Sequence, residues 1–380
     1  MLRAMNDIEL SRFKDKTVAV GLSGGVDSSL AAALLHNAGA RVLGITMKIF
    51  RPGAISFPEG MNADACYGPG EEQDIEACES FCKSLGIPYH TVDLAAEYEE
   101  RILEYFRSEY RAGRTPNPCV RCNRDMKFGF MLEKARASGL DFEYFATGHY
   151  ARIEEKGGIL KLRKAVDESK DQTYFIHRLT PDTLAKVIFP LGGISKAKAR
   201  ELAAELGLPM ADKAESQDFV AGGYGALFGD EEPGDIVDES GKVLGRHRGI
   251  AHYTVGQRRG IGVSLGPKPM YVAALDAKAN RVIVSDNDAL FSAGLIGSEA
   301  FSSDPALEGV RFDAFARIRQ NHKPAAASIL VSDGRAELRF ETPQRAVEAG
   351  QSAVFYDAEG FVLGACVIES GIKLDASGAP

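Results

Sequence analysis

The sequence predicts an α/β fold, a doubly wound parallel sheet, followed by a small central domain and a C-terminal β-barrel. Three observations carry that expectation. A strand runs through a Ser/Gly-rich turn into a helix at 18–35, and apolar strands then alternate with helical stretches up to residue 150. Short segments of alternating apolar and polar residues fill 295–370.

The stretch VAVGLSGGVDSSLAAALL puts Val18, Val20 and Leu22 on a buried strand and Leu30, Leu34 and Leu35 on a helix. Between them lies the run Gly21, Leu22, Ser23, Gly24, Gly25, Val26, Asp27 and Ser28. A strand that turns through glycines onto a helix N-terminus makes an anion site, because free N–H groups and the positive helix end face the anion. The order differs from the GxxxxGK[ST] loop: no Lys follows the glycines, and Asp27 stands there instead.

Strand-like segments follow at 17–22, 41–47, 88–94 and 142–150, with helical stretches at 27–38, 72–85 and 97–110. That rhythm implies a parallel sheet with helices on both faces. Ligands of such sheets sit at the carboxyl ends of the strands, where the SGGVDS turn, Met47, Gly148 and His149 emerge. A second region begins near Arg152; residues 181–207 read as helical, with AKARELAAELGL an amphipathic helix. From about 234 the chain turns to short Gly-rich strands, and SILVSDGRAELRFE and SAVFYDAEGFVLGACVIES alternate as barrel strands do. The division expected is 1–150 for nucleotide binding and catalysis, 151–290 for a central domain and 291–380 for the barrel.

Composition narrows the class. The 380 residues are 45% hydrophobic and 26% charged, as in soluble globular proteins. No run approaches the ~18 uninterrupted apolar residues of a membrane span. The first residues mix charge signs without an apolar core, so no secretory signal is read there and a cytoplasmic location is expected. Six cysteines are too few for a disulfide framework, which points cysteine pairs toward metal binding or catalysis. The net charge of −8 argues against indiscriminate nucleic-acid binding. Local patches run the other way: nine Lys/Arg against four Asp/Glu between Arg101 and Arg136, and five against none between Lys242 and Arg259. A phosphate-backbone partner needs such patches, not a basic total.

The segment TPNPCVRCN holds two stiffening prolines and two cysteines, Cys119 and Cys122. Alone, such a pair is a zinc half-site, a redox couple or a nucleophile; without a second CxxC a closed zinc site is disfavoured. Arg121, Arg124 and Lys127 are expected to favour the thiolate of Cys122.

SGGVDS resembles the PP-loop of the N-type ATP pyrophosphatases, which bind the pyrophosphate of ATP and adenylate a substrate oxygen. With GRTPNPCVRCNRDMKFG, TGHYAR, KDQTYF, AESQDF and HRGIAHYTVGQRRG in this order, the chain resembles the bacterial tRNA-specific 2-thiouridylases from about residue 16 to 370. Members replace O2 of the tRNA wobble uridine with sulfur. The resemblance implies that Gly21 to Ser28 hold the β,γ-phosphates of ATP with Mg²⁺, and that Met47 and Gly148 border the adenine. It places Asn117, Pro118 and Cys119 beside the target base and makes Cys122 the nucleophile. It assigns tRNA contacts to His149, to Lys170, Asp171 and Gln172, and in the barrel to Arg317, Ile318 and Gln351. A sulfur donor protein or inorganic sulfide is the remaining partner.

Two departures matter. Position 119 is Asp in better-known members, and a second catalytic cysteine follows their SQ(D/E) motif, where this chain has Val220. Valine cannot carry sulfur. Two routes stay open: a Cys119–Cys122 persulfide and disulfide cycle, or a [4Fe-4S] cluster held by Cys119, Cys122 and a third thiolate, with Cys66 the first candidate. Cys78 and Cys82 share one helix face, and Cys366 reads as core. Two rival functions are an adenylating amidotransferase or ligase, and a non-catalytic RNA-binding or sulfur-carrier protein. No glutamine-hydrolysing domain is evident for the first, and an intact SGGVDS with two neighbouring cysteines argues against the second.

Overall fold

The computed structural model describes residues 10–53, 55, 57, 65–208, 218–221, 223–229, 231–263 and 268–374. The chain divides into two compact units: residues 1–102 with 119–223, and residues 103–118 with 224–380.

The first unit is built on a five-stranded parallel sheet. In chain order its elements include β1 (Thr17–Gly21), α1 (Val26–Asn37), β2 (Arg41–Lys48), β3 (Ala65–Tyr67), α2 (Glu71–Leu85), β4 (Tyr89–Asp93), α3 (Pro118–Arg121) and β5 (Tyr144–Ala146). The strand order is β4-β2-β1-β5, completed by Val187–Ile188. The three middle residues of β1, Val18, Ala19 and Val20, are fully buried, as a strand covered on both faces requires. Leu30 and Leu35 of α1 join Val18, Val20 and Ile188 in one core.

The fourth strand is shorter than the 142–150 read from sequence, because the chain leaves the sheet after Ala146 and starts a hairpin, Ala151–Lys156 with Ile159–Lys164. The stretch 181–207 is not one helical region. It holds a short turn of helix (Pro181–Leu184), the edge strand Val187–Ile188, and then α4 (Lys196–Glu205). A two-residue strand is too short to show a period, and β5 supplies its only partner among the described residues.

The second unit carries a four-stranded sheet (Gly234–Val237, Val243–His247, Tyr271–Asp276, Arg281–Ser285) and a closed six-stranded antiparallel barrel. The alternation in SILVSDGRAELRFE has its expected cause: Ile329, Val331, Ala336 and Leu338 point into the barrel core, and their neighbours face outward. Among the described residues no helix is long and apolar enough to cross a membrane.

Candidate active site

All three segments expected at the ligand edge leave the sheet on the same side, because β2 and β5 both pair in parallel with β1. The Gly21–Ser28 turn closes on itself. The Ser23 amide donates to Ser28 Oγ at 3.2 Å, and the hydroxyls of Ser28 and Ser29 both donate to the Gly25 carbonyl at 3.1 Å. Leu22 is buried beneath it, its amide donating to Ile45 O at 2.8 Å. Gly24 has φ of +70°, a conformation that L side chains rarely adopt. Gly25 precedes α1 without a side-chain cap, so the first N–H groups of that helix are not taken by a capping side chain. Gly148 meets the same turn from β5; a Cβ there would stand 2.7 Å from Asp27 C and Ser28 N. Met47 is half-buried at the end of β2.

Sequence reading missed one residue here. Lys196, at the start of α4, places its Nζ 2.8 and 2.7 Å from the two carboxylate oxygens of Asp27. The Tyr150 hydroxyl donates to the same carboxylate at 2.9 Å. Lys196 and Asp27 are 169 residues apart, and Lys196 stands just before the AKARELAAELGL stretch read as an amphipathic helix. It is 9% exposed. The nearest sequence signal was the acid standing where a lysine is expected in the other phosphate loop.

Pro118 opens α3, and the chain continues as a π-helix over Cys122–Phe130. Asn123 anchors that turn, its Nδ2 donating to Phe175 O at 3.2 Å. Burial pushes the thiols of both Cys119 and Cys122 up to about 12. This corrects the expectation of a favoured thiolate. Asp125 takes Arg124 at 2.6 and 3.0 Å and lies 4.0 Å from Arg121, so the arginine charge is offset and Lys127 alone pulls Cys122 down.

Cys66, exposed on β3, lies within electrostatic range of both loop thiols, and all three act on the buried Tyr98 hydroxyl. Val220 is fully buried on the strand paired with β3, opposite Tyr67, and so offers no thiol. The rest of the AESQDF motif, 214–217, lies outside the described residues. Cys78, Cys82 and Cys366 are buried in the two cores. Among the described residues no group of three or more His, Cys, Asp or Glu is arranged to hold a metal ion. As placed, Cys66, Cys119 and Cys122 are not arranged as such a group.

Exposure and burial set an order of reactivity. Alkylation by iodoacetamide at pH 8 should label Cys66 before Cys119 and Cys122, because a thiol near 12 is almost wholly protonated there. The rate at the loop pair should climb about tenfold per pH unit up to about pH 11. Peptide mass spectrometry checks this; loop cysteines that alkylate first, with a midpoint below pH 8, would contradict the burial argument.

The residues assigned to tRNA fall into two groups. His149 is half-buried between Phe128 and Phe189, 6.1 and 5.9 Å away, with Nδ1 2.7 Å from Thr147 Oγ1. Burial, helped by Lys127, pushes it well below the usual imidazole range, so it is neutral at pH 7. Asp171 is buried and accepts from Thr173 Oγ1 at 2.7 Å and from the Ala165 amide at 3.2 Å, while Gln172 Oε1 accepts from the Tyr150 amide at 3.0 Å. These two side chains hold their own loop; Lys170 beside them is half-buried. In the second unit Ile318 is 1% exposed in the barrel core, which excludes it as a surface contact. Arg317 bonds the Gln320 carbonyl. Gln351 donates from Nε2 to Thr115 O at 3.0 Å, and the Thr115 amide donates to Ala349 O at 2.8 Å. Asn117 follows, half-buried, two residues after that anchor. Arg258 and Arg259 are exposed.

The parallel sheet with a Gly-rich turn at its edge, and the closed barrel of the second unit, define a protein of the α/β class that also carries a β-barrel. Three family models match in series: the tRNA methyl transferase HUP domain over 16–221, the tRNA methyl transferase PRC-barrel domain over 226–286, and the aminomethyltransferase beta-barrel domain over 295–368. The tRNA-specific 2-thiouridylase MnmA of Endomicrobium trichonymphae is 43% identical, over 92% of this chain and 98% of its own. The protein of the same name in Geotalea uraniireducens is 43% identical over 95% and 96%. The chain belongs to the tRNA-specific 2-thiouridylase family. Among solved structures, the NMN synthetase of Francisella tularensis is 17% identical, with a TM-score of 0.33 over 56% of this chain and 74% of that one; a likeness that weak does not bear on the fold.

Proposed function

We propose that the protein is an ATP-dependent tRNA-uridine 2-sulfurtransferase acting on the wobble uridine. The observation that carries this reading is the pairing, in one unit, of an uncapped Gly-rich turn at a helix N-terminus with two cysteines three apart. The first can hold a polyphosphate, and the second can move sulfur.

Each group then has a task. The Gly21–Ser28 turn binds the β,γ-phosphates, with Met47 and Gly148 bordering the adenine. Bound Mg²⁺ would neutralise phosphate charge, and Asp27 is the carboxylate that would hold it. Uracil O2 attacks the α-phosphorus, the bond to the β-phosphate oxygen breaks, and pyrophosphate leaves with the electron pair. C2 now carries AMP, a far better leaving group than oxide.

For the second step a persulfide donor loads one cysteine of the pair. Its outer sulfur attacks C2 and AMP departs. The other thiol attacks the inner sulfur, giving a Cys119–Cys122 disulfide and the 2-thiocarbonyl, and an external dithiol returns the pair to thiols. Asn117 and Pro118 flank the base, His149 meets it as a neutral hydrogen-bonding ring, and Lys170 and Arg317 contact phosphate. A base reached in this way is drawn out of its loop into a pocket. The working division remains nucleotide chemistry in 1–150 and RNA binding in 151–290 and 291–380.

Reconstitution tests the reading. Purified protein, ATP, Mg²⁺, tRNA bearing a wobble uridine and a persulfide donor should yield 2-thiouridine, with one AMP and one pyrophosphate per product. Nucleoside mass spectrometry that finds no thiouridine, or finds it without ATP, sinks the proposal.

A further inference from the structure

The usual phosphate loop supplies its own lysine; this one has Asp27 in that place and a lysine bound to it. We infer that Lys196 is the pyrophosphate-binding cation of the site, brought in by α4 and held by Asp27 until ATP arrives. The inference rests on the ATP site proposed above.

The placement has no explanation in helix stability. A cation in the first turn of a helix opposes the helix dipole, and Lys196 is the first residue of α4. Its burial adds a desolvation penalty that an apolar pair would avoid. Nor is its position loose. The Lys196 amide donates to Asp167 Oδ2 at 3.0 Å, and Ser195 caps the helix by accepting from the Lys198 amide at 3.2 Å. The backbone is thus fixed on both sides, and the side chain runs to the N-terminal turn of α1, with Nζ 5.6 Å from the centre of the Tyr150 ring. A positive charge is held beside the loop that binds phosphate.

Chemistry gives that charge its use. When the α-phosphorus is attacked, negative charge builds on the departing β,γ-phosphates. An ammonium donating to those oxygens stabilises the leaving group without giving up its proton, and nothing is oxidised or reduced. Phosphate oxygens competing for Nζ also release Asp27, whose carboxylate is then open to the cation that travels with the nucleotide. The same two residues that hold each other would each take a ligand once the nucleotide is bound.

Calorimetric titration with α,β-methylene-ATP and with AMP tests this on wild type and K196M. K196M is expected to bind the triphosphate about 30-fold more weakly, the size of one charge-assisted hydrogen bond, and AMP within twofold of wild type. Triphosphate affinity within threefold of wild type, in a K196M protein with a normal melting curve, overturns the inference. If wild type itself fails to bind the triphosphate, the ATP site is wrong and the fault lies there. Should K196M not fold, the comparison moves to D27N against D27N/K196Q, the second of which carries neither charge of the pair, each with its own melting curve. Loss of about 30-fold between those two supports the inference, and equal affinity refutes it.

Discussion

Cys122→Ala should form no 2-thiouridine, at least 10³-fold below wild type, while ATP-dependent release of pyrophosphate persists. The separation follows from chemistry: adenylation of O2 uses the Gly21–Ser28 turn, and only the second step needs a thiol. The substitution should leave stability nearly unchanged, because Cys122 is only partly buried and has no cross-link to lose. Single-turnover assays following pyrophosphate and thiouridine together decide the matter. Cys119→Ala tests the pair: if Cys119 and Cys122 cycle a disulfide, each variant alone stops turnover. Cys66→Ala is expected to keep activity in that scheme. An inactive but well-folded Cys66→Ala would bring the third thiol into the mechanism.

Asp27→Ala is expected to abolish adenylation, again by 10³-fold or more, and also to destabilise the fold. The sequence on its own suggests a loop substitution with little cost. The structure says otherwise, since removing the carboxylate leaves the Lys196 ammonium buried and without Asp27. Side-chain exposures of 11% for Lys196 and 27% for Asp27 leave the ammonium buried and the carboxylate half-buried. Breaking a partly buried pair from one side costs less than the ~3 kcal/mol of a fully buried one. Ser23→Ala is the contrasting variant. Ser23 is exposed, and its hydroxyl meets Ser28 Oγ at only 3.3 Å. Urea unfolding should place Ser23→Ala within ~0.5 kcal/mol of wild type and Asp27→Ala clearly below it. Equal stabilities would mean that the Asp27–Lys196 pair contributes nothing to folding.

How much of this was legible in the sequence depends on the range of the interaction. β1, β2 and α1 were legible because burial of a parallel strand and of a helix face writes itself into neighbouring residues. The barrel was legible for the same reason, through the alternation around Ile329 and Leu338. Lys196 was not, since Asp27 lies 169 residues away and no local pattern links the two. The thiols of Cys119 and Cys122 were misread in sign. Counting cations near them in sequence ignored Asp125, which binds those arginines, and burial, which acts more strongly than either. Ile318 was placed on the RNA by motif position, although ARIRQ already alternates and points that residue inward.

The bond from Gln351 to Thr115 has a consequence for the order in which the protein can be completed during synthesis. It spans 236 residues, so the segment from Thr115 to Asn117 lacks this anchor until the chain beyond Gln351 has left the ribosome. At 5–20 residues per second that is a wait of roughly 10–50 s after Thr115 is made. The sheet with its Gly-rich turn can form meanwhile from residues already present, Val187–Ile188 and α4 included. A nascent chain can therefore own a nucleotide site well before the root of its cysteine loop is anchored. A truncated product ending before the last strands would carry the first without the second.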